Sequence, residues 1–284
     1  MKILVTGGTG QLGTDVTRLL TEKGYEVHSY AREQLDIVNQ EQVKQTVEYI
    51  QPDVIIHTAA YTKVDLAEQE VKHAYQVNAL GARNLAVEAE KYQAKLIHIS
   101  TDYVFDGQAS VPYTEFSEIN PQSVYGKSKW AGEQFVRQLC SRFFIVRTSW
   151  VYGKYGHNFV KTMLRLAETR NEINVVHDQV GCPTYTVDLA KFLMRLLETE
   201  AYGTYHASNT GSCSWYEFAC AIFAAAGLTN MKVNPIPTSE YPLPAPRPAY
   251  SVLDHMMIRL QGMEDLRPWQ EALQEFMREF ARPE

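Results

Sequence analysis

The chain has 284 residues, enough for one large domain or two small ones with an ample core. Hydrophobic residues at 45% and charged residues at 21% are ordinary for a globular protein, and 33 acidic against 27 basic side chains give a net charge of −6. That balance, with no basic run, excludes a nucleic-acid partner, and no apolar stretch nears the ~18 residues of a membrane span.

Residues Met1 to Thr6 form a short apolar run that predicts a buried strand. Gly7, Gly10 and Gly13 follow at once, then a helical pattern from Thr14 to Lys23 with Val16, Leu19 and Leu20 apolar. Strand, Gly-rich turn and helix are the context that a dinucleotide fingerprint requires. Gly7 permits the tight turn, Gly10 the approach of backbone to a pyrophosphate, and Gly13 close helix packing. The N–H groups at the helix start then face the phosphates. Spacing is Gly-x-x-Gly-x-x-Gly, and a Gly-rich turn that binds nothing is the competing reading.

A second strand is expected over Glu26 to Tyr30, ending at Ala31 and Arg32. An acidic residue at that strand end would bond a ribose 2′-hydroxyl, whereas an Arg would pair with a 2′-phosphate. Arg32, 19 residues beyond Gly13, therefore favours NADPH; Glu33 beside it keeps NADH open. Asn39 to Ile50 reads as a helix capped by Asn39, Pro52 to His57 as a strand, Val71 to Tyr92 as one long helix, and Ala94 to Ile99 as a strand.

Tyr125 and Lys129 stand at i and i+4 in a helical run that follows the Asn120-Pro121 turn. A free phenol, with a pKa of about 10, exchanges protons poorly at neutral pH. A nearby ammonium favours the phenolate, which makes the pair a usable acid/base. A surface helix with an aromatic and a cation at helical spacing is the bland alternative. After a strand at Arg142 to Arg147, the alternation predicts an α/β, doubly wound parallel sheet of the Rossmann kind. Gly7, Arg32, Ala59 to Tyr61, Thr101 and Thr148 all fall at its carboxyl ends, where ligands bind.

Beyond Trp150 the rhythm loosens. Helices are expected near 158–170, 186–198, 214–226 and 267–281, and short strands near 173–176, 203–206 and 231–236. Tyr241 to Pro248 is too proline-dense for either and reads as an ordered or lid-like loop. Cys140, Cys182, Cys213 and Cys220 show no metal or redox spacing and read as reduced thiols. No signal-peptide pattern opens the sequence, so a cytoplasmic location is expected.

The Gly-rich turn, Ser100-Thr101-Asp102 and the Tyr125/Lys129 pair together resemble the extended short-chain dehydrogenase/reductases. Within them the chain is similar to the dTDP-4-dehydrorhamnose reductase family, through Thr6 to Gly13, Ser100 to Phe105, Arg147 to Tyr152, Pro183 to Ala190 and Arg247 to Asp254. The resemblance implies NADPH-preferring reduction of the 4-keto group of dTDP-4-dehydro-6-deoxy-L-mannose to dTDP-L-rhamnose. It implies a dinucleotide-binding domain over 1–150. A smaller α/β substrate part over 151–284 is expected to return to the sheet at about 173–200. Gly7, Gly10, Gln11, Leu12 and Gly13 would hold the pyrophosphate and Arg32 the adenosine ribose. Asp36 and Ile37 would lie by the adenine, Ala59, Ala60 and Tyr61 along the cofactor, and Lys129 on the nicotinamide ribose. Asp36 reads equally as a turn residue.

Thr101 would then bond the substrate carbonyl and Tyr125 would transfer its proton. Related dehydratases carry Thr-Asp-Glu; here Tyr103 replaces the Glu, which argues for reduction alone. Asp102, Trp150 and Arg247 are the expected substrate contacts. A strand-capping Asp, a core Trp and a solvated Arg are the respective alternatives. An epimerase that retains NAD, or a non-catalytic nucleotide-binding subunit, are the competing functions, and a homodimer is admitted. Some dimers of the family surround Mg²⁺ with acidic side chains. Asp15 and Asp188 are shorter than the Glu that role favours, so no metal ligand is assigned and the ion is left open.

Overall fold

The computed structural model describes residues 1–280. Its first half runs β1 (Lys2–Thr6), α1 (Gln11–Glu22), β2 (Glu26–Tyr30), α2 (Gln40–Ile50), β3 (Val54–His57), α3 (Val64–Ala67), α4 (Val71–Tyr75), α5 (Gly81–Lys91), β4 (Lys95–Thr101), α6 (Val124–Leu139) and β5 (Phe143–Thr148). The second half adds β6 (Val151–Tyr152), α7 (Phe159–Ala167), β7 (Glu172–Val176), β8 (Val180–Gly181), β9 (Thr184–Tyr185), α8 (Thr186–Leu197), β10 (Gly203–His206), β11 (Cys213–Ser214), α9 (Trp215–Ala225), β12 (Lys232–Ile236), α10 (Met256–Leu260) and α11 (Trp269–Phe280). Of the helix expected over 267–281, residue 281 lies outside the described residues.

Six strands form one parallel sheet in the order β10-β5-β4-β3-β1-β2. Ile3, Val5, Ile56 and Ile97 pack with Leu12, Val16, Leu189 and Phe192 of α1 and α8. Leu4, Ile55, Leu96 and Ile145 pack with Val43, Leu85 and Val136 of α2, α5 and α6. Burial on both faces is why these strands read as apolar runs without alternation. The chain passes from β1 outward to β2 and then back to β3, so the switch point, where ligands bind, lies beyond the ends of β1 and β3.

Residues after Trp150 serve both parts of the molecule. Helix α8 packs on α1 and β10 completes the sheet beside β5, whereas β7 pairs with β12 in a separate ribbon. A second core gathers Tyr152, Val160, Phe218, Ile222, Trp269 and Phe276. Cysteines 140, 182 and 213 are buried, and all four thiols are free.

The helix expected over Val71 to Tyr92 is interrupted by a π-helical turn at Gln76–Leu80. The widened turn directs Asn78 inward. Its Oδ1 accepts from the Tyr61 N–H at 2.8 Å, and its Nδ2 donates to the Tyr61 carbonyl at 3.1 Å and to Ser128 Oγ at 2.9 Å. A Cβ at Gly132 would lie 2.3 Å from the Asn78 carbonyl oxygen, so the turn rests directly on α6. One residue accommodated this way is invisible to a 3.6-residue pattern, and π turns concentrate at functional sites.

A fully buried ion pair anchors α6 from below. Arg147 of β5 donates through Nε and Nη2 to the two carboxylate oxygens of Glu133 at 2.9 and 2.8 Å, and Ser100 of β4 donates to Glu133 at 2.6 Å. Breaking such a pair leaves an uncompensated charge in the core and typically costs about 3–5 kcal/mol.

Candidate active site

At the β1–α1 turn Gly7 adopts φ +72°, and a Cβ on it would fall 2.7 Å from the Ala59 amide nitrogen. Gly13 packs on Gly7, where a Cβ would lie 2.1 Å from the Gly7 carbonyl oxygen. Gly10 is different: its Cβ would meet only the Gly7 oxygen, at 3.1 Å. Helix α1 starts after Gly10 with no side-chain cap, so its first amides are free for an anion. The turn is thus closed toward the protein and open along Gly10, which fits a dinucleotide pyrophosphate. Leu12 is buried in the core, while Gln11 Oε1 accepts from Asn158 at 2.9 Å and ties the second part of the molecule to the turn.

Arg32 is exposed and makes no ion pair with any described residue. Asp36 accepts from the Val38 N–H at 3.1 Å, which closes a local turn, and Ile37 is buried against Gly81. Ala59 and Ala60 are half-buried at the end of β3. The Tyr61 ring points inward, with its hydroxyl on Glu70 at 2.9 Å. Asn78 holds its backbone.

Thr101, Tyr125 and Lys129 meet at the carboxyl end of β4. Ser123 caps α6, accepting from the Gly126 N–H at 3.1 Å, and a Cβ on Gly126 would lie 2.1 Å from the Tyr103 carbonyl oxygen. That close contact presses the helix start onto the β4 loop. Tyr125 lies beside Thr101, and burial pushes the phenol up to about 12, with Thr101 lowering and Asp102 raising it. Lys129 is buried, its ammonium donates to the Ile99 carbonyl at 2.6 Å, and burial draws it down to about 8 against the opposing pull of Glu133. The expectation that Lys129 lowers the Tyr125 pKa is therefore corrected. The ammonium is committed to a β4 carbonyl, and desolvation governs the phenol.

Asp102 is buried at the same edge. Burial raises its pKa to about 6, and hydroxyls of Ser251 and Thr101 only partly oppose this. Tyr103 packs edge-on against Tyr125, ring centroids 5.5 Å apart, and its phenol is held well above the usual range by burial. A small cavity lies there, lined by Tyr103, Gln122, Ser123 and Arg247 among others. Arg247 is neither solvated nor free: its Nη2 is 2.6 Å from Asp65 of α3. Trp150 stacks on Trp215.

Residues 1–282 match the family described as RmlD substrate binding domain. The chain belongs to that family. It is 46% identical over 278 residues to the spore coat polysaccharide biosynthesis protein SpsK of Bacillus subtilis, covering 98% of this chain and 97% of the relative. It is 45% identical over 286 residues to a dTDP-4-dehydrorhamnose reductase of Aggregatibacter actinomycetemcomitans, with 96% and 97% covered. The crystal structure of the Bacillus anthracis dTDP-4-dehydrorhamnose reductase in complex with NADP superposes with a TM-score of 0.95 at 51% identity, covering 98% of this chain and 99% of that one. This member of the RmlD family is an oxidoreductase with a Rossmann-type fold.

The acidic pair considered for Mg²⁺ is engaged otherwise. Asp188 accepts from Arg267 Nε and Nη2 at 2.8 and 2.9 Å and from Asn209 at 2.8 Å, so a guanidinium already supplies its counter-charge. Asp15 accepts from Thr186 at 2.6 Å, and burial raises its pKa. These side chains do not fit a metal site, and no group of three or more candidate ligands occurs among the described residues.

Sequence reasoning missed Asn78, Glu133, Trp215 and Ser251. Glu133 carried a readable signal, since it continues the Tyr125, Lys129 spacing by another four residues on α6. Nothing in the local sequence marks Asn78, Trp215 or Ser251, whose partners lie 17 or more residues away.

Proposed function

We propose that this member of the RmlD family uses NADPH to reduce the 4-keto group of dTDP-4-dehydro-6-deoxy-L-mannose, forming dTDP-L-rhamnose for cell-surface polysaccharide. The observation that carries the reading is the convergence of Thr101, Tyr125 and Lys129 on the strand edge that also bears the open glycine turn. Two relatives named for this reduction share 45% and 51% of the sequence over nearly the whole length.

Gly7, Gly10, Gln11, Leu12 and Gly13 hold the pyrophosphate in this reading. The free guanidinium of Arg32 takes the 2′-phosphate, Asp36 and Ile37 border the adenine, and Ala59 to Tyr61 lie along the cofactor. The bound nicotinamide supplies the hydride for C4. Thr101 Oγ1 bonds the substrate oxygen O4 and Tyr125 Oη delivers a proton to it. Burial keeps the phenol protonated at neutral pH, so Tyr125 enters the reaction as the proton donor. Lys129 bonds the ribose hydroxyls. Asp102, Trp150 and Arg247 face the sugar nucleotide, with residues 1–150 serving the cofactor and most of the remainder the substrate. Tyr103 offers no carboxylate to remove a C5 proton, so dehydration is not supported. Every proposed contact comes from one chain, and the cytoplasm, which holds NADPH, is the compartment the reading needs.

The test is NADPH oxidation by the purified protein across a panel of 4-keto nucleotide sugars. Oxidation with the dTDP-linked 4-keto-6-deoxy sugar and release of dTDP-L-rhamnose is expected. Interconversion of 4-epimers by protein that retains NAD, or no oxidation with any panel member, would overturn it.

A further inference from the structure

Trp150 has φ at +46°, a left-handed conformation that bulky residues rarely adopt. Such strain persists only where the surroundings over-determine it. Two neighbours do so here. The Trp215 indole stacks on Trp150 with ring centroids 3.5 Å apart and planes within 9°. From elsewhere comes Gly181, where a Cβ would lie 2.6 Å from Cε2 and 2.8 Å from both Cζ2 and Nε1 of Trp150. Near-equal approach to three consecutive ring atoms places Gly181 over a ring face. A ring stacked as closely as Trp215 leaves no room on its own face, so Gly181 covers the opposite one. The Trp150 indole is thus held between Trp215 on one face and Gly181 against the Nε1–Cε2–Cζ2 edge of the other.

One ribbon brings both covers together. Cys213 and Ser214 pair with Gly181 and Val180, and Ser214 then caps α9 through a reciprocal bond with Glu217, which sets Trp215 as the first helical residue. Val180 is also bonded to the backbone of Ala249 and Ser251, and Ser251 is buried near Asp102. The ribbon that holds the sandwich therefore runs on toward the substrate side of the site.

We infer that Trp215 is a positioning residue for substrate recognition, holding the Trp150 indole between itself and Gly181 so that its rim, not its face, meets the sugar nucleotide. The inference rests on the reading of Trp150 as a substrate contact. A rim presents an N–H donor to a sugar hydroxyl or phosphate oxygen, whereas a free face would offer only stacking. A ring already fixed in the unliganded protein loses no rotamer freedom on binding, so Trp215 acts on affinity and not on the chemical step.

Circular dichroism and kinetics test this together. Indoles in contact couple their far-ultraviolet transitions, so the wild-type spectrum should carry a tryptophan contribution that Trp215→Leu, Trp215→Phe and Trp150→Phe all remove. With the dTDP-linked 4-keto-6-deoxy sugar, Trp215→Leu should raise KM roughly tenfold or more while kcat stays within about threefold, and the KM for NADPH should not move. Trp215→Phe, which still covers the face, should restore most of that affinity. A far-ultraviolet spectrum that Trp215→Leu and Trp150→Phe leave unchanged overturns the sandwich whatever the protein reduces. An unchanged sugar KM in Trp215→Leu, or a parallel loss of NADPH affinity and melting temperature, overturns the positioning role. A wild-type tryptophan contribution without any turnover overturns the proposed reaction, and with it the role of the sandwich in that reaction.

Discussion

The Thr101 hydroxyl donates to its neighbour Asp102 at 2.9 Å, so the group expected to bond the substrate oxygen is tied to a buried carboxyl. The second oxygen of that carboxyl, Oδ2, is buried without a hydrogen-bond partner at bonding distance. Asp102 is thus a half-satisfied polar group at the reacting centre, kept where an apolar residue would cost less.

A pH dependence of stability follows. Unfolded, Asp102 titrates near 3.8; folded, burial lifts it to about 6, so the folded chain binds this proton more tightly. Stability contributed at this position falls as pH rises through that window, and the penalty is complete above about pH 6 and absent below about pH 4. Asp102→Asn removes the charge. Its melting temperature should exceed wild type at about pH 7 and converge with it near pH 4. A difference that stays constant with pH would locate the penalty elsewhere.

Tyr125→Phe should abolish turnover and leave NADPH binding nearly intact. It removes one hydroxyl from the reacting centre and no phosphate contact, and lost acid help costs at least ~10²-fold. Near-normal activity would take Tyr125 out of the mechanism. Lys129→Met should weaken both rate and cofactor binding, because one ammonium is assigned to both.

Arg32→Ala should raise the KM for NADPH far more than that for NADH, since only NADPH carries the 2′-phosphate. A lost charge-assisted bond is worth roughly 1.5–3 kcal/mol, or about 10- to 100-fold. Equal changes with both cofactors would mean that Arg32 reads something else.

Asn78→Ala should destabilise the fold and loosen the cofactor strand end together. It strands the Tyr61 N–H and carbonyl, whereas Ser128 Oγ keeps its bond to the Tyr125 carbonyl, and each buried orphan costs about 1–3 kcal/mol. Urea unfolding and NADPH titration report the two effects. A destabilised variant that binds NADPH like wild type would confine Asn78 to the core.

The sequence alone determined the parallel α/β architecture, because strands buried on both faces must be apolar throughout and helices facing them must carry a 3.6-residue stripe. It also determined the glycine turn, the Asn39 cap and the Tyr125/Lys129 helix, since each depends on neighbours within about one helical turn. Tertiary structure decided where charges and faces were spent. Lys129 goes to the Ile99 carbonyl, Arg247 to Asp65, Asp188 to Arg267, and the Trp150 faces to Trp215 and Gly181. Those partners lie from 30 to 182 residues away, and a side chain's local sequence says which bonds it can make but not which distant group will be brought within reach. The π turn at Asn78 belongs with them: local periodicity favours a continuous helix, and only three buried hydrogen bonds across the fold justify opening it.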